Sequence, residues 1–306
     1  MPTIRDLTPV DPLLTNISLA FRNAGFVASS IFPTVSVDVV SGTYFIYGNE
    51  RFDVPSALRA DKASFNRIDW TISTGTFRCR EYGLEDVIDD RERKVAKAPL
   101  DLDIDATEFV TDMVALNAEK RVVDIVTDVA RITQNVTLAG TSQFNDFTNS
   151  DPISVIDRGR NIINSATGLD PNTLVLSREV FNQLKNHPQL LERIKYTQKG
   201  VVTADLMAGI FDVENVVVAH ALHNSARKGA PVTLVRLWGR HCLLAYVEKN
   251  PGIRKVSLGF TFSFTKRRTR KYRHERNIGD VIRVSEDRDE ALVAASCGYL
   301  IRNAVA

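Results

Sequence analysis

The chain has 306 residues, of which 44% are hydrophobic and 25% charged, and its formal net charge is only +2. This is the composition of a globular protein long enough for two domains, without the overall positive charge of a protein that coats nucleic acid. No apolar run approaches the ~18 residues of a membrane span, and three widely separated cysteines form neither a disulfide framework nor a metal-ligand pair. We therefore expect folding in a reducing cytoplasm, with no membrane contact, metal or cofactor.

Residues 1–41 are predicted to form an extended arm. Four prolines, from Pro2 to Pro33, interrupt short apolar stretches that alternate with turn residues. An apolar arm without a helix or sheet of its own must be covered by another surface. That surface could belong to the same subunit or to a neighbour.

Residues 42–82 are predicted to form a β-hairpin. The stretch 42–48 is aromatic and β-branched, and residues 68–80 alternate apolar and polar side chains. Between them lies a long polar segment that contains Pro55. The pattern fits an ordinary hairpin with a long loop or a ribbon that projects from the body. A projecting ribbon would need a partner, because a lone hairpin is barely stable in water.

The pattern changes to that of a long helix over residues 103–138. Apolar side chains recur at helical spacing, Asp103 or Asp105 can cap the start, and Gly140 is expected to stop it. A helix of about 35 residues would be roughly 50 Å long. Because the apolar residues form no sustained heptad, we predict a single long helix that lies across a sheet.

Residues 151–251 are predicted to form an α/β unit. The pair Asp151-Pro152 is typical of a helix cap followed by proline at the first helical position. Ser177 and Thr203 are predicted to cap later helices. Strands follow this unit, and the final apolar strand is expected to pair into a sheet.

Two stretches have strong and opposite charge. Seven of the eleven residues from Lys266 to Arg276 are Lys or Arg, and the stretch Glu81–Glu92 holds six carboxylates against one arginine. The basic run fits three interpretations: a solvated strand and turn, ion pairs with the acidic stretch of a neighbouring subunit, or contact with phosphate groups. Tyr272 alone offers little aromatic surface for base stacking. The acidic stretch fits a solvated loop equally well.

Catalytic and cofactor motifs are missing from the sequence. There is no glycine-rich phosphate loop, nucleophile elbow, zinc-protease motif or dinucleotide fingerprint. The run Asp101–Asp105 resembles the start of a calcium loop, but Ala106 stands where that loop needs glycine, so we predict a helix start. His220 and His223 lack further ligands nearby, and Cys242 is flanked by apolar residues that indicate a core position. We predict that the protein is not an enzyme.

A resemblance is carried by five segments and by their order: 28–39, 42–48, 173–187, 213–221 and 297–303. An arm, a long hairpin, a long helix, an α/β unit and a return to strands follow one another along the chain. This order resembles that of the major capsid proteins of tailed bacteriophages over nearly the whole length.

The resemblance implies an α+β chain with the tailed-phage, Hong Kong-type major capsid fold. The implied regions are an N-terminal arm (1–41), an extended β-hairpin loop (42–82), a peripheral domain (83–150 and 252–306) with a spine helix (103–138), and an α/β axial domain (151–251). Members of the family assemble into hexamers and pentamers that form an icosahedral shell around a double-stranded DNA genome. The implied location is the virion, after assembly in the host cytoplasm.

The implied partners are further copies of the chain, a portal, possibly a decoration protein, and packaged DNA contacted nonspecifically. Because the arm begins almost at Met1, we expect a separate scaffolding protein or none. Covalent crosslinking between subunits is not predicted. Contacts between subunits are expected in the arm, the hairpin, the acidic stretch and the basic run, at Ile31, Phe32, Val35, Val37, Arg59, Lys62, Glu85, Asp86, Asp89, Asp90, Arg267, Arg268, Arg270, Lys271 and Arg273.

Alternatives from other classes remain open. An encapsulin-type nanocompartment would share the fold but hold cargo enzymes in place of a genome. A soluble nucleic-acid-binding protein would use the basic run, remain small and lose duplex affinity steeply with salt. An α/β enzyme is disfavoured because no cluster of titratable residues converges in the sequence.

Overall fold

The computed structural model describes residues 25–59, 61, 64–95, 101–195, 203–227, 229–252 and 255–306. The helices in these residues are α1 (Ala28–Ile31), α2 (Asp90–Val95), α3 (Leu102–Val126), α4 (Pro152–Thr167), α5 (Arg178–Lys185), α6 (Pro188–Ile194) and α7 (Ala204–Phe211). The strands are β1 (Thr34–Ser36), β2 (Ser41–Tyr47), β3 (Ile72–Arg78), β4 (Arg80–Asp89), β5 (Asn135–Thr137), β6 (Thr173–Ser177), β7 (Asn215–Ala219), β8 (Leu222–Asn224), β9 (Leu234–Arg236), β10 (Cys242–Ala245), β11 (Gly259–His274), β12 (Gly279–Leu292) and β13 (Gly298–Arg302).

These strands form two larger sheets and two ribbons. The five-stranded sheet has the strand order β5-β13-β10-β6-β7, and the four-stranded sheet has the order β1-β11-β12-β4. As labels, we call the first the axial sheet and the second the peripheral sheet, after the predicted domains that supply most of their strands. The ribbons are β2-β3 and β8-β9. The strands β11 and β12 pair antiparallel along almost their whole length, so the peripheral sheet is built around one long hairpin.

The axial sheet is covered on both of its faces. Leu174 and Leu176 of β6 pack with helices α4 to α7, while Val175 between them packs on the opposite face with the end of α3 and with the arm. This alternation follows from the pleat of a strand, and a strand buried on both faces carries apolar residues at consecutive positions, as at residues 174–176. Full burial of each large apolar side chain contributes about 1.5–3 kcal/mol.

Local capping signals place the helices of the α/β unit, as the sequence predicts. The Asp151 carboxylate accepts a hydrogen bond from the backbone of Ser154, and Gly168 ends α4 in the left-handed conformation. Ser177 caps α5 and Thr203 caps α7 in the same manner. These ends need no tertiary information, because the side chain satisfies backbone groups that the helix itself leaves unpaired.

The long helix is real, but its predicted end is wrong. The prediction of 103–138 is replaced by α3, which begins after its cap at Asp101 and ends at Val126. Beyond the helix, Ile132 and Leu138 continue the apolar spacing. Both side chains are buried, but Ile132 follows a turn and Leu138 follows the strand β5. The strand β5 lies in this stretch, and its pairing with β13 supplies backbone hydrogen bonds that a continued helix would otherwise have made.

The same pairing joins segments of two predicted domains in one sheet. Residues 83–150 and 252–306 are predicted to belong to the peripheral domain, and β5 and β13 of these ranges lie in one sheet with β6, β7 and β10. The strand β13 lies between β5 and β10, inside that sheet. The predicted division into domains stays a prediction.

Helix α3 joins the two sheets. Its first half packs Ala106, Val110 and Val114 on the peripheral sheet, and its second half packs Val122 and Val126 on the axial sheet. The prediction of a long helix that lies across a sheet is therefore confirmed. The helix sets the position of one sheet relative to the other.

Candidate intersubunit surfaces

The hairpin β2-β3 forms a two-stranded sheet of its own. Its register runs from Ser41 opposite Arg78 to Tyr47 opposite Ile72. At its base the Phe77 ring stacks on Phe262 of the peripheral sheet, with 4.4 Å between ring centroids. Past the two strands, residues 48–71 form a long loop whose only regular segment, among the residues described, is a short 3-10 turn.

This hairpin loop exposes large apolar side chains. The exposed fraction is 96% for Val54 and 84% for Leu58. Other exposed residues of the hairpin and its loop are Phe45, Phe52, Phe65, Ile68 and Trp70. An exposed apolar patch of this kind marks an interaction site, because burying it in a complex removes its contact with water.

Two of the predicted contact residues lie in the same loop. The Arg59 guanidinium lies 4.9 Å from the centre of the Phe65 ring, which is cation–π geometry. Arg59 is exposed, so it remains available to another chain. Lys62 lies outside the described residues, and its predicted contact stays a prediction.

The acidic stretch and the basic run meet inside one chain. The acidic residues form β4, which pairs with β12, and the basic residues form part of β11 on the other side of β12. Ion pairs of these strands include Arg267–Glu286 at 3.0 Å, Arg268–Glu81 at 3.6 Å, Lys271–Asp103 at 2.8 Å, Arg273–Asp90 at 2.6 Å and Arg283–Glu85 at 2.7 Å. The interpretation of the acidic stretch as a solvated loop is wrong, because its residues form β4 and the start of α2. These ion pairs lie within one subunit, and the predicted contacts of the two stretches with neighbouring subunits stay a prediction.

These ion pairs alter the titration of their carboxylates. Hydrogen bonds from the Arg273 guanidinium hold the pKa of Asp90 below its ordinary value. Hydrogen bonds from Arg283 do the same for the pKa of Glu85. Both carboxylates are therefore committed to partners in their own chain.

The remaining predicted residues of these two strands have different surroundings. The Asp86 and Asp89 carboxylates accept hydrogen bonds from the backbone of Val87 and Arg91, at 2.9 and 2.7 Å. Arg270 is half-buried on β11, opposite Arg283 of β12. The charges of this sheet therefore serve mainly to fasten its own strands.

A buried charge network fastens α3 to the peripheral sheet. The Arg121 guanidinium donates two hydrogen bonds of 2.8 Å to the carboxylate of Glu290 and lies 3.7 Å from the centre of the Tyr82 ring. Glu286, also buried, pairs with Arg267 and Arg288 at 3.0 Å. The sequence analysis missed this network. The alternation of Glu286, Arg288 and Glu290 on one face of a strand is the signal that could have found it.

Of the predicted arm residues, two are buried within the subunit and two are half-buried. Ile31 and Phe32 are fully buried with the end of α3 and the axial sheet. Val35 and Val37 pack on the aromatic cluster at the base of the hairpin, and β1 pairs in parallel with β11. This placement corrects the expectation for Ile31 and Phe32, because the surface of a single subunit does not offer them to a neighbour.

One buried carboxylate connects the arm, the long helix and the α/β unit. Glu119 of α3 accepts hydrogen bonds from the backbone of Val27 and Ala28, at 3.0 and 2.7 Å, and from the Trp238 indole at 2.7 Å. Burial raises the pKa of Glu119 above its ordinary value. Sequence reasoning did not single this residue out. Its position in the apolar stripe beside Ala118 and Val122 was the available signal.

The described residues contain no group of three or more His, Cys, Asp or Glu side chains that could hold a metal ion. The described helices include none that is long and apolar enough to cross a membrane. All three cysteines are buried and unpaired, and burial raises the pKa of the Cys297 thiol to about 11. These surroundings disfavour thiolate chemistry at neutral pH.

Comparison with known proteins agrees with this arrangement. The sequence is 31% identical to the major capsid protein of Burkholderia phage BcepMu over 98% of both chains. The chain belongs to the major capsid proteins of tailed bacteriophages. It is also 28% identical to the major capsid protein of Pseudomonas phage JBD67, over 97% of this chain and 98% of that one. The family model for phage major capsid protein E matches residues 112–226.

Solved structures show the same fold. A phage-related protein from Bordetella bronchiseptica RB50 superposes with a TM-score of 0.76 at 27% identity, covering 97% of this chain and 98% of that one. The capsid protein of cyanophage P-SCSP1u has a TM-score of 0.62 at 11% identity over 92% and 89% of the two chains, and a virus-like particle from Pyrococcus furiosus has 0.57 at 9% identity over 94% and 96%. The last two likenesses show the fold alone.

The predicted fold class is therefore confirmed, and so is the family. This capsid protein is a structural component of the virion that forms a shell, and its family is not an enzyme family. Membership disfavours the interpretations as a small nucleic-acid-binding protein and as an α/β enzyme.

Proposed function

We propose that this capsid protein assembles into hexamers and pentamers that form an icosahedral shell around double-stranded DNA, after synthesis in the host cytoplasm. The observation that carries the proposal is the hairpin loop, with Val54 and Leu58 almost fully exposed. A soluble subunit gains nothing from such a surface, whereas a shell buries it once in every subunit.

Repetition makes weak contacts sufficient. Burial of apolar area contributes roughly 25 cal/mol per Å², and each contact recurs for every subunit of a closed shell. A single contact can then be weak enough for misplaced subunits to dissociate, while the complete shell is stable. Closed assemblies satisfy every copy of such a contact, and an open one leaves some unsatisfied.

We propose that packaged DNA is contacted nonspecifically. Four cations of the basic run, at Arg267, Arg268, Lys271 and Arg273, have carboxylate partners in the chain. Neutralised cations release few counterions from a polyanion, so strong DNA affinity is not expected. A portal, a separate scaffolding protein and a decoration protein complete the proposed set of partners.

Electron microscopy of the purified protein tests the proposal directly. We expect closed icosahedral particles with pentameric and hexameric clusters. Replacement of loop residues 48–71 by a two-residue Asn-Gly turn should leave a folded subunit with an unchanged circular dichroism spectrum and no closed particles. Native-sized particles from this shortened chain would refute the role of the hairpin loop.

The contents of the particles test the second half of the proposal. Particles from infected cells should protect double-stranded DNA from nuclease. The encapsulin-type alternative predicts particles that hold a cargo protein and no genome. Finding that cargo in place of DNA would replace the proposed function while leaving the fold unchanged.

A further inference from the structure

One edge of the axial sheet carries basic side chains at the ends of four neighbouring strands. The strands β13, β10, β6 and β7 lie side by side, with Cys242 opposite both Ile301 and Leu176, and with Ser177 opposite Ala219. This register brings the residues next to these positions to the same edge. They are Arg178, His220, Arg240, His241 and Arg302, and Arg236 joins them from the end of β9. We call these six residues the basic edge.

Backbone contacts show that the basic edge is continuous. The N–H of Ser177 donates to the carbonyl of His241, and the N–H of Asn303 donates to Nδ1 of His241, both at 3.3 Å. The Arg236 guanidinium donates to the carbonyl of His220 at 3.1 Å. Strands of a sheet lie about 4.8 Å apart, so the three intervals from β13 to β7 span roughly 14 Å.

The positive charge of the basic edge is largely uncompensated. Within the described residues, Arg178, Arg236 and Arg302 form no ion pair with a carboxylate, and all three are half-buried. Arg240 does pair with Glu179, at 3.3 Å. The Nε atom of Arg302 is buried and has no hydrogen-bond partner in the described part of the chain. The subunit therefore leaves guanidinium donors of this edge unused.

The opposite edge of the same sheet is balanced. Its carboxylates each have a cation beside them: Asp212 pairs with Arg160 at 2.5 Å, Glu248 pairs with Lys255 at 3.0 Å, and Glu214 pairs with Lys249. Uncompensated arginines are therefore a property of one edge of the axial sheet and not of the sheet as a whole.

Two histidines respond to the charge of the basic edge. Burial, and after it the Arg178 and Arg236 guanidinium groups, lower the pKa of His220. Burial, and after it the Arg302 guanidinium, lower the pKa of His241. Arginines that act on both histidines create a local positive potential, and such a potential attracts anions.

The chemistry and length of the basic edge suit the backbone of duplex DNA. Arginine is the side chain that best matches phosphate, because its planar donors bind two oxygens at once. Duplex DNA rises 3.4 Å for each phosphate of a strand, so an edge of roughly 14 Å faces about four base pairs. An acidic protein segment would instead bind best through apolar anchors, and none of the six residues is apolar.

We propose that the basic edge is the surface through which the shell contacts packaged duplex DNA, with Arg178, Arg236 and Arg302 bound to phosphate groups. This proposal rests on the proposed function as a shell around DNA, and it specifies the residues that make the nonspecific contact. Each subunit offers only a few phosphate contacts. The affinity of one site is therefore expected in the nonspecific range, about 10⁻⁴–10⁻⁶ M at physiological salt.

The first test measures DNA binding by the full-length chain. Unassembled subunits are titrated into a short fluorescent duplex of random sequence, and anisotropy is followed over a series of salt concentrations. Each phosphate contact that is lost should reduce the slope of log K against log salt by about 0.9. We expect Arg178→Gln, Arg236→Gln and Arg302→Gln together to remove most of that slope and to weaken binding at low salt at least about tenfold.

Two matched variants separate the contact from the fold and from net charge. Replacement of the same three arginines by lysine keeps the charge and should keep most of the slope. A control with Arg59→Gln, Lys120→Gln and Arg131→Gln removes the same number of charges from exposed positions elsewhere, and it should bind like the wild type. Melting temperatures are measured in parallel, so that a loss of fold is not taken for a loss of contact.

Several results of the first test would overturn the proposal. One is a wild-type chain that does not bind the duplex at low salt, and another is a glutamine variant with the wild-type slope. Equal losses in the lysine and glutamine variants would show that these arginines serve only the fold. An equal loss in the control would show that only net charge matters. Binding of poly-glutamate without binding of duplex would show that the occupant is an acidic protein.

The second test locates the contact in particles from infected cells. Phenylglyoxal modifies accessible arginines, and mass spectrometry reports the extent of modification at each one. We expect Arg178 and Arg236 to react several-fold less in DNA-filled particles than in particles emptied of DNA, whereas Arg131 should react equally in both. Equal modification of Arg178 and Arg236 in the two kinds of particle would overturn the proposed contact and leave the shell function intact. Particles that contain no DNA would instead contradict the proposed function, so the two failures are distinguishable.

Discussion

The peripheral sheet pairs its charges within one chain, whereas the hairpin loop leaves large apolar side chains exposed. In the sheet, strands of opposite charge lie on either side of β12, and the carboxylates of Glu286 and Glu290 are buried with arginine partners. In the loop, Val54 and Leu58 contact almost nothing of their own chain. The sheet is complete in the free subunit, and the loop is not. Opposite charges on neighbouring strands stabilise the subunit itself, and we propose that the exposed apolar surface of the loop is buried by neighbouring subunits.

The largest expected effect comes from breaking the buried network. Arg121→Met removes the cation that pairs with Glu290, so this buried carboxylate loses its hydrogen-bonded arginine partner. Loss of one partner of a buried ion pair costs about 3–5 kcal/mol. We expect a decrease of that size in the free energy of unfolding, measured by chemical denaturation of the unassembled subunit.

Lys120→Met is the matched control on the same helix. Lys120 pairs with Asp124, and both side chains are more than half exposed. Such pairs contribute only about 0–1 kcal/mol. Equal losses in the two variants would contradict the importance assigned to the buried network.

Glu119 should give the subunit a pH dependence of unusual sign. Because burial raises its pKa, the native state keeps a proton on Glu119 at pH values where the unfolded chain has released it. The contribution of this group to the free energy of unfolding is therefore present at low pH, and it falls as pH rises from the ordinary glutamate pKa through the raised native pKa. The stability difference between wild type and Glu119→Gln should shrink over this range. A difference that does not change with pH would contradict the raised pKa.

Glu85 should behave in the opposite way and more weakly. Hydrogen bonds from Arg283 lower the pKa of Glu85, so the stabilisation is present above the ordinary glutamate pKa and is lost as pH falls through the lowered value. The pair is about half exposed, so Arg283→Gln should cost only about 0.2–1 kcal/mol, and less at high salt. Denaturation at low and high salt checks both statements. A loss of several kcal/mol would show that this exposed pair resembles the buried network.

The smallest effect on the subunit is expected in the hairpin loop. Val54→Asp together with Leu58→Asp should change the free energy of unfolding by less than about 0.5 kcal/mol, because both side chains are exposed. The same change should prevent particle formation, since charge would replace the apolar contact surface. Ser56→Asp adds charge to the same loop at a polar position and should still assemble. Normal particles from the double variant would remove the distinction between the two regions.

The sequence predicted those features whose causes are local. Caps at Asp151, Ser177 and Thr203 depend on residues within one turn, and all three were placed correctly. The end of α3 was missed because Ile132 is buried by a strand more than 160 residues away in the chain. Apolar spacing alone cannot distinguish a continuing helix from a turn that buries the same side chains.

The partners of the charged stretches were missed for a related reason. The sequence shows that Arg268 and Arg273 are basic and that Glu81 and Asp90 are acidic, but not whether a pair forms within a chain or between chains. That depends on the pairing of β12 with both β4 and β11, which is a tertiary property. Glu119 was missed because its role depends on the hydrogen-bond donors that surround it in the fold. An acidic residue in an apolar stripe does not by itself show which donors these are.

The position of β13 inside the axial sheet has a consequence for biosynthesis. Strands β6, β10 and β5 can come together in their final order only after residue 302 has been translated. Sheets that join such distant segments form slowly, because a long loop must close before the pairing stabilises it. A nascent chain on the ribosome therefore lacks a finished α/β unit until its last strand has been made.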